Sequence, residues 1–453
     1  MKPTRALPIR WLSACCLAVL AGLYSPAAGQ ETAAAAVSGP ASPEPDWSLH
    51  GQLTYQLQGH GAFTSPYEGP NSFQDRKEER GSFTSTLYAG RRLWEGAEGY
   101  VNLELLAGQG LSRVLGLAAP PNGETYRVDS TRLKANLARV FLRQTLALGG
   151  ASEAQDDDEN QLGGRRASRR LVVTAGKISG TDVFDGNAYA HEPRTQFNNW
   201  SLWANAAWDY PADTRGYTWG IALELLLDAW AVRLGSFMEP LEANGLAFDH
   251  DVARAHGDVL EIEHRHALGG RPGAVRLLAF GNHARMGIYR DALALSPADP
   301  DVVSTRAPGR SKYGLGLNLE QEIVSDVGAF LRAGWNDGKT ESWAFTEVER
   351  TLAFGVSAKG GVWKRPDDVL GVGFALNGIG RDHRDYLAAG GLGFLLGDGA
   401  LRPSTENVLD VFYRTAVTPF ADLSGELERY WNPGFNLDRG PVTVYGLRVH
   451  LHR

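Results

Sequence analysis

Cysteine is almost missing. The 453 residues hold two, Cys15 and Cys16, adjacent and near the start. Both fall in a stretch with the marks of an export signal. Lys2, Arg5 and Arg10 make a basic opening, Trp11–Tyr24 an apolar run, and Ser25–Gln30 a set of small residues for cleavage. A mature chain beginning after Ala28 or Gly29 has no cysteine at all, which excludes disulfides and thiolate metal sites. Long apolar runs are missing too: Trp11–Tyr24 is too short to span a bilayer, and no convincing amphipathic helix follows it. Basic charge is in deficit. Without Lys2, Arg5 and Arg10, 42 of the 45 Lys and Arg remain against 52 Asp and Glu, a net charge of about −10. No basic patch points to nucleic acid. No glycine-rich loop follows a strand and opens a helix, so there is no phosphate cradle and no call for a cofactor.

What is present is strand. Residues 30–46, rich in Ala, Pro and Ser, read as a disordered leader. From Trp47 the pattern is constant to the end. In WSLHGQLTYQLQG, Trp47, Leu49, Leu53, Tyr55 and Leu57 share one face, and Ser48, His50, Gln52, Thr54, Gln56 and Gln58 the other. In YGLGLNLEQEI, Leu315 and Leu317 lie opposite Asn318 and Glu320, so Arg in place of Asn318 is expected to be tolerated. About sixteen such strands follow one another, joined by connections that alternate long and short. The exception is the acidic-to-basic segment with Asp156, Asp157, Asp158, Glu159, Arg165 and Arg166, long where a short turn is due and read as a solvated loop. One apolar and one polar face on every strand, an even strand number and a constant long/short phase predict an all-β, transmembrane antiparallel barrel of the outer-membrane porin type, with a water-filled lumen. Several soluble β domains are the alternative.

The stretch Asp182–Tyr217 stands apart. It lies between two strands and carries neither strand nor helix period. Its tryptophans, amides and paired charges suit a neutral polyol, which offers C–H faces for stacking and hydroxyls that donate and accept. Packing of those tryptophans against the rest of the protein is the alternative use. If the stretch folds into the lumen, Arg194, Asn198, Asn199, Trp200, Trp203, Trp208, Asp209, Asp213 and Arg215 are the expected constriction and sugar contacts. The polar strand faces supply the expected pore wall: Asn102, Glu104, Asn318, Glu320, Arg332, Asn336, Arg414, Glu426, Glu428 and Arg448. Asp182, Asp185, Asp209 and Asp213 are weighed as paired glycosidase carboxylates, but solvated loop carboxylates or partners for Arg194 and Arg215 account for them better. His191 beside Glu192 has no second His at helical spacing, so no metal site is read.

The chain resembles the carbohydrate-selective porins of Gram-negative outer membranes, the OprB family. The resemblance runs from about His50 to His450. Its most specific pieces are Asp182–Gly220, YGLGLNLEQE (Tyr313–Glu322), FLRAGWNDG (Phe330–Gly338), VWKRPDDVLGVGFALNG (Val362–Gly378) and NPGFNLDRGPV (Asn432–Val442). It implies a sixteen-stranded barrel that passes sugars by diffusion through a loop-narrowed pore, without chemistry. The expected organisation is a signal peptide at 1–29, a leader at 30–46 and a barrel at 47–453. Expected partners are small sugars, outer-membrane lipid and the barrel-assembly machinery, with a homo-oligomer left open. Outer-membrane strands commonly end in an aromatic residue read during assembly, whereas this sequence ends His450-Leu451-His452-Arg453. A general or ion-selective porin on the same barrel, and a secreted carbohydrate-binding or hydrolysing β protein, are the competing functions.

Overall fold

A computed structural model describes residues 45–124 and 130–453. The expected signal and all but the last two residues of the expected leader lie outside the described residues. Sixteen strands follow: β1 Trp47–His60, β2 Glu78–Trp94, β3 Ala97–Gly108, β4 Ser130–Gln155, β5 Gly164–Ile178, β6 Thr218–Leu227, β7 Trp230–Met238 and β8 His256–Leu268; then β9 Arg271–Ala284, β10 Arg310–Val324, β11 Val327–Asn336, β12 Arg350–Gly360, β13 Arg365–Gly378, β14 Glu406–Thr418, β15 Ala421–Trp431 and β16 Val442–His452. Each pairs antiparallel with its sequence neighbour, and β1 closes on β16, from Gln52 opposite His452 to His60 opposite Val444. The sheet therefore has no free edge, which leaves no backbone donor or acceptor facing an apolar solvent.

Burial is inverted relative to a water-soluble fold. On β1 the apolar Trp47, Leu49, Tyr55 and Leu57 are exposed, whereas Gln52, Thr54, Gln56 and Gln58 are buried inside. The inward polar groups find one another across strands: Gln52 Nε2 donates to Thr84 Oγ1 and Thr86 Oγ1 at 3.3 and 3.1 Å. The same inversion holds on β10, where Leu315 is 58% exposed and Asn318 3%. Strand periodicity alone produces it, because each side chain must take the face opposite its neighbour's.

One end of the barrel carries short turns. Gly269 and Gly270 join β8 to β9 with φ of +58° and +79°, the conformation a tight two-residue hairpin requires. The other end carries eight long loops, and these supply most of the main apolar cluster, which inward strand residues such as Tyr100, Phe141 and Phe280 complete. Trp200, Trp203, Trp208, Tyr210, Tyr289, Phe345 and Tyr386 pack together inside the barrel. Three short helices lie on these loops: α1 Trp200–Trp203, α2 Tyr289–Leu295 and α3 Arg381–Ala388.

The acidic-to-basic segment corrects its reading as a solvated loop. β4 runs for 26 residues, and the eight-residue connection 156–163 folds back under the lumen. Asn160 O accepts from Arg143 Nη1 at 2.8 Å, and Leu162, fully buried, donates its N–H to Tyr100 Oη at 3.1 Å. Arg166, in β5, pairs with Glu98. The aspartates do remain exposed, but an inward tip satisfied by wall arginines is structure that charge density alone does not reveal.

Candidate functional site

Residues 179–217 connect β5 to β6 and lie within the barrel rather than above it. Their composition explains the irregular path. Asp and Asn tolerate turn conformations and bond their own backbone: Asp185 takes φ +59°, and Asn199 caps α1 by accepting from Ser201 N at 3.0 Å. The loop is fastened to β10–β16 by wall side chains. Arg332, fully buried, donates to both Asp185 carboxylate oxygens at 3.0 and 3.1 Å, to Asp185 O at 2.9 Å, to Ala190 O at 2.6 Å and to Leu202 O at 2.7 Å. Asn318 Nδ2 adds a bond to Asp185 Oδ1 at 2.6 Å. Glu320 accepts the Ala188 N–H, Arg448 donates to Pro193 O and Gln196 O, and Asn336 donates to Ala207 O. Asp209 is held by Lys312 Nζ at 2.8 Å and by the Trp343 and Ala344 N–H groups.

With that sector filled, open space remains beside β2–β6. It forms two cavities that share Asp182. The one toward the long loops, ≈ 270 Å³, is lined by Glu104, Lys134 and Arg139 from the wall, Glu124 from the loop after β3, and His191, Glu192, Arg194, Arg215 and Tyr217 from the 179–217 loop. Its aromatic side is a ladder: Phe345 stacks on Trp200 at 4.9 Å and 7° and on Tyr210 at 4.6 Å and 21°. The one toward the short turns, ≈ 350 Å³, is lined by Glu98, Arg143, Glu159, Asn160, Arg166, Arg170 and Glu224.

At the junction, Arg139 grips Asp182 bidentately, Nε to Oδ2 at 2.7 Å and Nη2 to Oδ1 at 2.6 Å. Across from it, Arg194 Nε donates to Glu124 Oε1 at 2.9 Å and approaches Glu192 and Glu159 at 3.8 and 4.0 Å. Burial pushes the Glu124 and Glu159 carboxyls above their usual range, although Arg194 pulls the other way. Burial acts on Asp182 too, but the charge and hydrogen bonds of Arg139 overcome it and hold that carboxyl low. His191 is pushed down by burial and is neutral at neutral pH.

The sequence profile of the carbohydrate-selective porins, OprB family, matches residues 77–452. The chain belongs to the OprB family. Among solved structures, Pseudomonas putida OprB at high pH is similar at 17% identity and a TM-score of 0.67, covering 90% of this chain and 94% of that one. The DcaP channel of Acinetobacter baumannii matches at 10% identity and a TM-score of 0.49, over 90% of this chain and 97% of that one. No curated relative matches the chain significantly. The protein is thus a carbohydrate channel of the Gram-negative outer membrane, not an enzyme.

In this porin the expected site residues separate by sector. Arg194, Trp200, Trp203 and Arg215 line the outer cavity. Asn198, Asn199, Trp208 and Asp209 are buried between loop and wall, away from it. Asp213 is buried as well, accepting from the Arg215 and Tyr217 N–H groups and lying 3.7 Å from Lys177. Of the expected wall residues, Glu104 lines the cavity and accepts from Tyr217 Oη at 3.0 Å. Asn102 faces inward but is fully buried. Asn318, Glu320, Arg332, Asn336, Glu426, Glu428 and Arg448 face inward too, yet they meet the loop. Arg414 sits toward the short-turn end, 3.5 Å from Asp422. Arg in place of Asn318 would therefore collide with the Asp185–Arg332 contact. Alternation fixes a residue's face but not the sector that a loop occupies. Glu124, Arg139, Phe345, Tyr210 and Tyr217 also line the outer cavity and are not among the expected site residues. Arg139 faces inward because Ala138 is bulged out of the β3–β4 register, so alternation counted from the outward Leu137 does not predict it; Phe345 comes from a different loop and carries no local signal.

Proposed function

We propose that sugars cross this OprB-family porin along the eccentric passage beside β2–β6, stacking on the Trp200–Phe345–Tyr210 ladder and passing the Arg139–Asp182 and Arg194–Glu124 pairs. The observation that carries this reading is the ladder's position: three aromatic residues line the same cavity as fixed donors and acceptors. Ring faces attract the C–H side of a pyranose, and pre-oriented charged groups bond its hydroxyls. Each stacking contact is weak, about 1–3 kcal/mol by analogy with bases on aromatics, and a channel needs weak sites so that solute leaves. Of the residues expected to contact sugar, Arg194, Trp200, Trp203 and Arg215 keep that role; Asn198, Asn199, Trp208, Asp209 and Asp213 shape the loop. Outer-membrane lipid covers the exposed apolar belt, after insertion by the barrel-assembly machinery. A homo-oligomer built through part of that belt is the alternative cover, and native mass in detergent separates the two.

In planar bilayers, added sugar should block the current through the parent channel. Trp200→Ala should weaken the block and leave open conductance equal or higher. A liposome-swelling series over sugars of increasing size gives the cutoff. If sugar leaves the parent current unchanged, or Trp200→Ala blocks like the parent, the ladder is packing and not a sugar track.

A further inference from the structure

Away from the passage, under the fastened loop, three carboxylates converge. Asp410 on β14 lies directly opposite Glu428 on β15, and Glu426 is two residues along the same face. One oxygen from each lies within 4.8 Å of the others, and all three side chains are buried. Like charges directly opposite on adjacent strands repel, and buried carboxylates need compensation. Among the described residues the only cation paired with the group is Arg448, whose Nη1 stands 3.8 Å from Glu426 Oε2 and whose hydrogen bonds go to loop carbonyls instead.

The hydrogen bonding is lopsided in an informative way. Glu426 Oε1 accepts the Asn198 N–H at 3.0 Å, and Glu428 Oε2 accepts from Asn199 Nδ2 at 2.7 Å and Tyr430 Oη at 2.8 Å. The other oxygen of each glutamate, and both oxygens of Asp410, are buried with no donor. Asp410 is fully buried, and neither of its oxygens makes a hydrogen bond of normal geometry, although the Asn199 backbone N–H of the loop acts on its carboxyl. Its flank is apolar: a Cβ at Gly373, across from Asp410 on β13, would meet Leu202 and Phe197 at 3.0 Å.

We infer that Asp410, Glu426 and Glu428 bind a hard divalent cation, Ca²⁺ or Mg²⁺. Three carboxylates against one arginine leave a charge of minus two, which one such ion balances. Oxygen-only donors select this class over softer metals. The ion would sit on the wall side of the two glutamates whose other oxygens hold Asn198 and Asn199, and so stiffen the loop that sets the pore. Sequence spacing does not reveal the site, because strand register brings the ligands together.

The test uses the full-length porin in detergent, stripped with EDTA and exchanged into metal-free buffer. Tb³⁺, a luminescent stand-in for Ca²⁺, should bind with emission sensitised by neighbouring aromatics, compete with Ca²⁺, and appear as one anomalous peak among the three carboxylates in crystals. Ca²⁺ should raise the melting temperature of the stripped protein. Asp410→Asn should abolish both effects, while Asp156→Asn/Asp158→Asn, on the exposed turn, should retain them. If Asp410→Asn does not fold, the anomalous map of the parent decides. No anomalous density at the cluster, or an identical melting temperature with EDTA and with Ca²⁺, overturns the inference and leaves carboxyls that share protons.

Discussion

Arg332 and Arg194 are both enclosed by protein, and their surroundings set them apart. Arg332 meets only the loop, through Asp185 and three carbonyls. Arg194 lines the outer cavity and has carboxylates around it. Removing a partner from a buried pair leaves an uncompensated charge, which costs about 3–5 kcal/mol. Arg332→Met should therefore lower the thermal stability of the detergent-solubilised porin by that order. With the loop unfastened, single-channel records should become noisier and larger. Trp208 makes a similar contrast with Trp200. Trp208 is 2% exposed and packs edge-on against Phe184 at 6.2 Å and against Tyr210 at 5.2 Å. Trp208→Ala should cost about 3–5 kcal/mol by opening a cavity. Differential scanning calorimetry reads that loss; Trp200, 4% exposed in the same cluster, should lose stability as well, but Trp200→Ala should in addition weaken sugar block, which Trp208→Ala should not.

At the scale of elements, the 179–217 loop and the 156–163 connection meet the pore from opposite ends. Arg194 comes from the first, Glu159 from the second and Glu124 from the loop after β3. This convergence makes ion selectivity depend on pH. Glu124 and Glu159 have raised pKa values, so as pH falls they gain protons before an ordinary glutamate would at about 4.3. Arg194 stays charged throughout, its pKa held well above the usual arginine value against the pull of burial. The junction thus becomes more positive on acidification, and reversal potentials in a salt gradient should move toward anion selectivity. Glu124→Gln should start from a more anion-selective value at neutral pH and change less. An unchanged reversal potential across that range would place the conducting path elsewhere. The sequence made the loop's identity legible through its aromatics and amides, and its lack of strand period. It did not show which tryptophans line the cavity, because Trp200 and Trp208 differ only in what comes from distant strands and loops. Nor could it show Phe345 between Trp200 and Tyr210, since no local pattern links them.

For the whole molecule, strand alternation was enough to read the closed barrel, because period two fixes the face of each residue between bulges once one face is apolar. What it left open is depth, which the register supplies. Leu277 lies near the middle of β9, is 57% exposed, and pairs with Leu317 on β10 and Ile262 on β8. Trp94 ends β2 at the short-turn rim and is 57% exposed, with Nε1 donating to Gln144 Oε1 at 2.9 Å. Equal exposure at unequal depth makes a clean comparison. A charge on the lipid face costs about 2–4 kcal/mol at the bilayer midplane and about 0–1 near an interface. Leu277→Arg should therefore lower the folding free energy in vesicles by roughly the larger amount. Trp94→Arg should lose about the smaller amount, plus what the indole hydrogen bond contributes, about 0.5–1.5 kcal/mol. Equilibrium folding into phosphatidylcholine vesicles across a guanidinium series measures both. The same pair in a detergent micelle should differ less, because a micelle adapts its thickness around a charge. If the two variants lose equal stability in vesicles, the apolar belt is not centred on β9 as its register implies. The exposed leucines there would then be better explained by contact with a second barrel.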